Sequence, residues 1–305
     1  MGYDENRNKL DAMRTAFNLK FQEGIKLAGS NYQKFCMIEG DMAHSAIEFP
    51  FLQTFAFMRE WVGPRQIKNL ASQKLRIVEK AFEDTVSIPL RDVQTDNWNQ
   101  YAHILTSMGQ GCEALWDRLA AEALLNPAPW IDGIEFFSAN REYGDGNAIC
   151  NTDSGELTAA NFEKAYAAMQ LYNAHNGEPM EVTPDLLIVG PELRAAAWEI
   201  IKLERVPDSH GGALTVANRN FDLVEIQVNP RLRGKHKNLW FLAQTAGSVK
   251  PVVLQKSVTG ELTALDKPEH PNVFSESKVI YGAKAYGNAA CAFPHLIYRG
   301  GSVIE

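Results

Sequence analysis

One long helix constrains the fold more than any other part of this sequence. Apolar residues recur at alternating spacings of four and three along a single stripe: Tyr101, Leu105, Met108, Cys112, Leu115 and Leu119. This spacing predicts a helix over about residues 97–125, capped by Asp96 or Asn97 and ended by Asn126 and Pro127. At about 1.5 Å per residue such a helix is roughly 40 Å long. A small domain does not need that length for its own core, so the pattern predicts a structural strut.

A basic segment with β-branched residues precedes this helix. Lys74–Lys80 and Asp84–Leu90 alternate in part between apolar and polar residues, which predicts two strands of a hairpin or a bent ribbon. A two-stranded ribbon is marginally stable alone and needs a surface to lie on. Residues 59–80 contain two acidic residues, Glu60 and Glu79, and a larger number of basic residues: Arg59, Arg65, Lys68, Lys74, Arg76 and Lys80. In a chain of net charge -7, this excess favours docking on an acidic neighbour; a solvated hairpin with ordinary lysines is the alternative.

The order of short motifs around these two elements resembles a known family. The central motifs are Glu60-Trp61-Val62-Gly63 with Arg65 and Ile67, then Lys80, Phe82-Glu83, Thr85-Val86, Ile88 and Arg91-Asp92, and then a helix with Tyr101 and Gly109. The flanking motifs are Phe21-Gln22, Gly24, Tyr32 and Lys34 upstream, and Asp132-Gly133 and Phe136-Phe137 downstream. Together they resemble the major head subunit of Mu-like phages, in the tailed-phage capsid family with the Hong Kong 97-type fold. Family members often continue the Phe-Phe segment with a His-Pro pair, where this sequence has Asn140-Arg141-Glu142.

The resemblance implies an α+β fold of the Hong Kong 97 type. Its expected parts are an N-terminal arm (1–40), the start of the peripheral domain (41–58), an extended β-hairpin loop or E-loop (59–92), the peripheral domain with its spine helix (93–155), an inserted α/β axial domain (156–238), and return strands of both domains with the C-terminus (239–305).

The same resemblance implies a structural function without catalysis or cofactors. Copies are expected to form pentamers and hexamers of an icosahedral head that encloses double-stranded DNA without reading its sequence. The head is assembled in the host cytoplasm, with a scaffold, a portal and a maturation protease as partners and a decoration protein as an optional one; no membrane is involved. The expected inter-subunit contacts are Phe17, Phe21, Trp61, Arg65, Lys68, Lys74, Arg76, Lys80, Asp208, His210, Arg231 and Arg233. Deleting residues 64–82 is expected to leave a folded, soluble subunit that no longer closes shells.

Residues 8–27 predict an amphipathic helix near the N-terminus. Its apolar face carries Leu10, Met13, Phe17 and Phe21. The resemblance gives this arm an inter-subunit role, whereas packing on its own domain is the alternative.

The second half of the chain predicts a compact α/β unit followed by further strands. Thr158 is a predicted N-cap, with Leu157 and Phe162 as a hydrophobic staple, for a helix to about His175. Pro191 is expected in the first turn of a helix that reaches Lys202. The predicted strands are Leu186–Val189, Leu223–Val228, Leu239–Ala243, Val252–Leu254, Lys278–Ala285 and Ala289–Phe293.

Composition excludes several classes of protein. A chain of 305 residues with 45% hydrophobic content can bury a large core. Its net charge of -7 argues against a dedicated nucleic-acid binder, whose affinity rests on a basic surface. No apolar stretch approaches the ~20 residues of a membrane span. The four cysteines are far apart, lack metal-binding spacing and are predicted to be buried free thiols: Cys36, Cys112, Cys150 and Cys291.

Two other functions stay open at this point. Gly109–Ala114 fits the dinucleotide fingerprint GxGxxA, with Asp132 as the ribose-binding acid, but the fingerprint needs a strand before its first glycine and the residues there have helical spacing. Close helix packing is the alternative explanation for these glycines.

Residues 208–212 bring a serine and a histidine together without triad geometry, and are expected to be a flexible loop at the tip of the inserted domain. An encapsulin-like compartment would share the capsid fold and load an enzyme cargo instead of DNA.

Overall fold

The computed structural model describes residues 3–40, 46–50, 74–95, 100–142, 148–174, 177–207, 215–267 and 269–304. The helices of these residues are α1 (Tyr3–Leu27), α2 (Tyr32–Phe35), α3 (Leu90–Gln94), α4 (Ala102–Leu125), α5 (Ala159–Gln170), α6 (Arg194–Lys202) and α7 (Pro271–Glu276). The strands are β1 (Cys36–Glu39), β2 (Ala46–Pro50), β3 (Lys74–Val78), β4 (Lys80–Pro89), β5 (Arg141–Glu142), β6 (Ala148–Ile149), β7 (Leu186–Val189), β8 (Arg205–Pro207), β9 (Thr215–Ala217), β10 (Glu225–Val228), β11 (Trp240–Ala243), β12 (Val252–Leu265), β13 (Lys278–Cys291) and β14 (Ile297–Gly300).

The predicted spine helix is confirmed as α4. Its apolar stripe is buried, with Leu105 and Trp116 at 0% exposure. The helix ends as predicted at Asn126, whose N–H donates to the carbonyl of Glu122 at 2.9 Å. The predicted caps Asp96 and Asn97 lie outside the described residues.

The first sheet has the strand order β1-β12-β13-β4. β12 and β13 are each 14 residues long and pair as one antiparallel hairpin. Two register shifts, near Lys256 and Thr259, bend this hairpin without ending it. The separately predicted strands Lys278–Ala285 and Ala289–Phe293 are therefore one strand, because pairing with β12 continues through the residues between them.

The predicted hairpin of residues 74–80 and 84–90 is wrong in its pairing, although both segments are strands. β3 pairs antiparallel with β2, and β4 pairs with β13 over ten residues. Glu79 alone separates β3 from β4, and a hairpin loop needs two residues or more. β2 and β3 therefore form a two-stranded pair, Ala46–Pro50 with Lys74–Val78, at the base of the predicted arm, and β4 belongs to the first sheet.

The second sheet has the order β10-β7-β11-β14 and contains the predicted α/β unit. β7 is buried at all four positions and is parallel to β10. Thr158 caps α5 as predicted, since its Oγ1 accepts from the N–H of Asn161 at 3.2 Å. The helix ends at Gln170, five residues before the predicted end. One continuous apolar core contains residues of both sheets and of α4.

None of the described helices has the length and apolar character that a bilayer crossing requires.

Candidate assembly surfaces

Two glycines allow α1 to lie directly against the spine helix. A Cβ atom at Gly109 would lie 2.1 Å from the carbonyl oxygen of Phe21, and one at Gly24 would lie 2.1 Å from that of Thr106. Only hydrogen side chains leave room for such an approach. Gly109 thus serves helix packing in the middle of α4, and residues 102–108 before it are helical. The dinucleotide interpretation of Gly109–Ala114 is wrong, because it requires a strand and a turn at this place.

The apolar face of α1 is buried in its own chain. Leu10, Met13, Phe17 and Phe21 are at most 3% exposed and form a second core with α4 and β13. The ring of Phe17 meets that of Tyr281 edge to face at 5.1 Å between centroids. The prediction that Phe17 and Phe21 contact another subunit is therefore revised, because their own domain already covers both side chains.

An ion pair fastens α1 to the end of the β12–β13 hairpin. Arg14 Nε donates to Asp266 Oδ2 at 2.8 Å, and Tyr281 donates its hydroxyl to the same carboxylate at 3.1 Å. The Asp266 side chain is fully buried, while 38% of the Arg14 side chain is exposed. The hydrogen bond with Asp266 raises the pKa of Arg14, and burial raises the pKa of Tyr281. The N-terminal helix is thus held by charge as well as by apolar packing.

The base of the arm is anchored in the main core. Ile77 of β3 is 2% exposed and belongs to that core. The Asn288 side chain donates to the carbonyl of Val78 at 2.8 Å. Arg76 and Lys80 are exposed beside these anchors. Lys74 opens β3, whereas Trp61, Arg65 and Lys68 lie outside the described residues.

The predicted contacts Arg231 and Arg233 lie on the loop after β10. Arg231 lies at the mouth of a crevice beside α4, and Arg233 is exposed on the same loop. Lys237 Nζ is 3.5 Å from a carboxylate oxygen of Glu192. Asp208 and His210 lie outside the described residues, between the paired strands β8 and β9.

The crevice beside Arg231 was not predicted from the sequence. It separates α4 from the edge strand β4 and has a volume of about 260 Å³. The side chains or backbone of twelve residues line it: Phe82, Glu83, Asp84, Met108, Gly111, Cys112, Ala114, Leu115, Arg118, Arg231, Ala283 and Ala285. We call it the α4–β4 crevice. Its lining comes from four distant segments, so no local pattern could have indicated it.

A buried arginine was also missed. Arg141 is 0% exposed, forms an ion pair with Asp132 and donates to the carbonyl of Glu135 at 2.6 Å. Its guanidinium lies 4.8 Å from the centroid of the Trp130 ring. Arg141 therefore holds together the loop after α4 through its contacts with Trp130, Asp132 and Glu135. It lies where the sequence departs from the His-Pro pattern of the family it resembles.

The buried polar groups near the spine helix contact one another and neighbouring aromatic rings. Lys256 Nζ lies 4.5 Å from the Tyr32 ring centroid and 3.8 Å from a carboxylate oxygen of Glu113. Burial lowers the pKa of Lys256 and raises that of Tyr32. Among the described residues no group of His, Cys, Asp and Glu side chains could hold a metal ion. Three of the predicted thiols are buried and Cys150 is half-buried; all four are free.

Comparison with known proteins identifies the family. The model of the family described as "Mu-like prophage major head subunit gpT" matches residues 10–156, 148–232 and 225–303. The chain belongs to this family. The major capsid protein of Escherichia phage Mu is 32% identical to this chain over 130 residues, which are 42% of each chain. The match thus spans less than half the length of that relative.

Solved structures show the same fold for this chain. A procapsid chain of bacteriophage JBD30 superposes with a TM-score of 0.60 at 21% identity, over 97% of this chain and 75% of that one. A JBD30 capsid chain from a particle decorated with minor capsid protein trimers gives 0.56 at 23% identity, over 70% and 94%. At these identities the likeness shows the fold alone, which is the predicted Hong Kong 97 type.

Proposed function

We propose that this chain is the major capsid subunit of a Mu-like phage or of a prophage-derived particle. Its copies form pentamers and hexamers, which close into an icosahedral shell around double-stranded DNA. The observation that carries this proposal is the family match, which extends from residue 10 to residue 303. The protein's work is mechanical, and no residue acts as a catalyst.

The fold suits a subunit that keeps its shape while its extensions bind neighbours. The core that joins α4 to both sheets makes one stiff body. The base of the arm is tied into that body through Ile77, so the exposed Arg76 and Lys80 have fixed starting positions. We assign α4 and the first sheet to the peripheral domain, and the second sheet with α5 and α6 to the axial domain. Each contact between copies can be weak, because a closed shell forms many at once.

The remaining partners are part of the same proposal. A scaffold, a portal and a maturation protease are expected for the assembly of the head. The JBD30 capsid that this fold resembles carries minor capsid protein trimers, which supports a decoration protein here too. The exposed Arg231 and Arg233 are offered as contacts of the shell.

Electron microscopy of particles tests the proposal. The chain is expressed with its neighbouring genes, and the particle fraction is stained and assayed for nuclease-protected DNA. Closed shells tens of nanometres wide, with DNA inside, are expected. Shells that hold an enzyme cargo and no DNA would indicate an encapsulin-like compartment. A homogeneous small oligomer under every condition would refute the shell function.

The structure also changes the deletion that should test the arm. Removing residues 64–82 would delete all of β3 and the start of β4, including the buried Ile77. That variant is expected to lose stability as well as assembly. Pro50 and Lys74 are paired across the base, so a two-residue Asn-Gly turn can replace residues 51–73 and keep the pairing. The resulting subunit should fold like the wild type and fail to close shells; normal shells would refute the role of the arm.

A further inference from the structure

The strand β13 continues beyond the end of its neighbour β4. β4 pairs with β13 only as far as Gly287, which lies opposite Lys80. Residues 288–291 continue the pairing with β12 on the other side. In the described part of the chain, residues 288–291 therefore have a strand on one side and an open edge on the other. An open strand edge is a template for pairing with another extended chain.

Backbone groups at this open edge point outward. The N–H of Ala292 donates to the carbonyl of Pro251 at 2.9 Å, on the β12 side. Because backbone groups of an antiparallel strand alternate in direction, those of Ala289 and Cys291 point to the open side. The Asn288 side chain accepts from the N–H of Ala289 at 3.0 Å. Within the described ranges, no strand pairs with the carbonyl of Ala289 or with the backbone groups of Cys291.

A notch of about 390 Å³ lies directly beside the open edge. At one end of it, Asn288 Nδ2 donates to the carbonyl of Val78 at 2.8 Å and links β13 to β3, which belongs to another sheet. At about 3.3 Å per residue the open edge is roughly 13 Å long, enough for a short extended segment. We call this space the β13 notch, and its lining is Arg76, Ile77, Val78, Lys80, Leu119, Glu122, Ala123, Asn126, Pro127, Ala128, Asn288, Ala289, Ala290 and Cys291.

The side chains of the β13 notch select the chemistry of its occupant. Leu119 of α4 is buried and gives the notch an apolar wall. Arg76 and Lys80 are exposed and have no ion-pair partner among the described residues. Glu122 also lines the notch, but Arg118 lies 3.8 Å from its carboxylate. Since successive side chains of a strand point to opposite faces, a segment that alternates apolar and acidic residues suits both the apolar wall and the cations.

We propose that the β13 notch binds an extended acidic segment of another protein, which adds as a strand to the open edge of β13. The backbone of the segment pairs with Ala289 and Cys291, its apolar side chains pack on α4, and its carboxylates meet Arg76 and Lys80. In strand addition, main-chain hydrogen bonds supply affinity and the alternating side chains supply specificity. The site is additional to the shell-forming surfaces of the proposed function, so unassembled subunits are sufficient to test it.

Binding of a synthetic peptide tests the charge and the backbone pairing. The probe is a blocked, fluorescently labelled pentapeptide in which glutamate and valine alternate. Anisotropy should show saturable binding to the wild type, roughly tenfold weaker binding to Arg76→Glu/Lys80→Glu, and wild-type affinity for Arg91→Glu/Lys278→Glu. All four side chains are exposed, so both variants should fold like the wild type by circular dichroism. Equal affinities of the two variants, or no binding to the wild type at about 1 mM peptide, would overturn the inference.

A second peptide, methylated at its backbone nitrogens, separates strand addition from charge attraction alone. It keeps the carboxylates but lacks the N–H donors that pair with the carbonyls of β13. Its affinity for the wild type should be roughly tenfold lower than that of the unmethylated peptide. Equal affinities would overturn the strand pairing. Because this measurement uses unassembled subunits, its failure leaves the shell function intact.

The amide of Cys291 reports where the peptide binds. The chain has four cysteines, so labelling with ¹⁵N-cysteine gives four amide signals, which single cysteine substitutions assign. With the peptide, the Cys291 amide should shift and exchange roughly tenfold more slowly with solvent, while the Cys150 amide stays unchanged. Binding without a change at Cys291 would overturn the inference. Protection before the peptide is added would also overturn it, and would assign the notch to a second copy if it grew with subunit concentration, or otherwise to the same chain.

Discussion

Replacing Gly109 by alanine sets two opposing effects against each other in one helix. In an isolated helix, alanine is more favourable than glycine by about 1 kcal/mol. In this fold the new Cβ would lie 2.1 Å from the carbonyl oxygen of Phe21, where contacts below 3.0 Å essentially never occur. The atom that it meets belongs to a backbone, so α1 has to move away from α4 by about 0.9 Å.

The loss of stability depends on how many packing contacts between α1 and α4 this movement weakens. A gap of about 1 Å forfeits roughly a quarter to a half of the dispersion energy of the contacts that it opens. Overpacking of a core costs about 1–3 kcal/mol, and here it disturbs four fully packed side chains of α1. Because the clash is with backbone, the cost belongs at the upper end of this range. After subtraction of the gain in helix propensity, we expect Gly109→Ala to lower the free energy of unfolding by about 2 kcal/mol.

Gly111→Ala is the matched control in the same helix. Its Cβ meets nothing within 4 Å, so only propensity acts and the variant should be more stable than the wild type by about 1 kcal/mol. Urea unfolding of the unassembled subunits measures both values. If Gly109→Ala were as stable as Gly111→Ala, the close approach of α1 to α4 would be incorrect.

Three further changes test other parts of the fold. Arg14→Gln leaves the buried Asp266 carboxylate without its cation and should cost about 2 kcal/mol in urea, less than the ~3–5 of a fully buried pair because Arg14 is partly exposed. Burial lowers the pKa of His295 to about 4, so stability is retained above pH 6.5 and should fall by about 3 kcal/mol as the pH drops to 4. Thr158→Ala removes the cap of α5 and should cost about 1 kcal/mol by thermal unfolding.

Each of these predictions has its own control. Adding Asp266→Asn to the Arg14 variant should recover part of the loss, because the buried charge is gone. His295→Gln should remove that share of the pH dependence; an unchanged profile would mean that His295 does not titrate in this range. Thr158→Ser keeps a hydroxyl at the cap and should stay near the wild type, and equal losses for serine and alanine would argue against capping.

Local patterns located most elements because the signals that start and end them lie within a few residues. The stripe from Tyr101 to Leu119 and the stop at Asn126 predicted the spine helix from inside one segment. Thr158 and Pro191 marked helix starts in the same way. The predicted break within β13 failed because cross-strand pairing, which no local pattern contains, carries that strand through Tyr286 and Gly287.

The candidate site was predictable only in part. The arm and its cations were predicted from composition, because a run of like charges is visible in the sequence itself. The α4–β4 crevice was not predicted, since Glu83, Met108 and Ala283 come from segments that meet only in the folded chain. The buried role of Arg141 was also hidden, because its partner Asp132 lies on the other side of a loop.

By itself the sequence located the four longest helices and the longest strands, and its ordered motifs carried the family resemblance. Only the tertiary structure decided that β3 pairs with β2 instead of β4, and that the apolar face of α1 lies on its own spine helix. Both the strand pairing and the helix packing depend on contacts between segments that are far apart in the chain. The second rests on Gly24 and Gly109, whose missing side chains let two backbones touch. An apolar stripe shows that a helix face will be buried, and the shape of the opposing surface determines where.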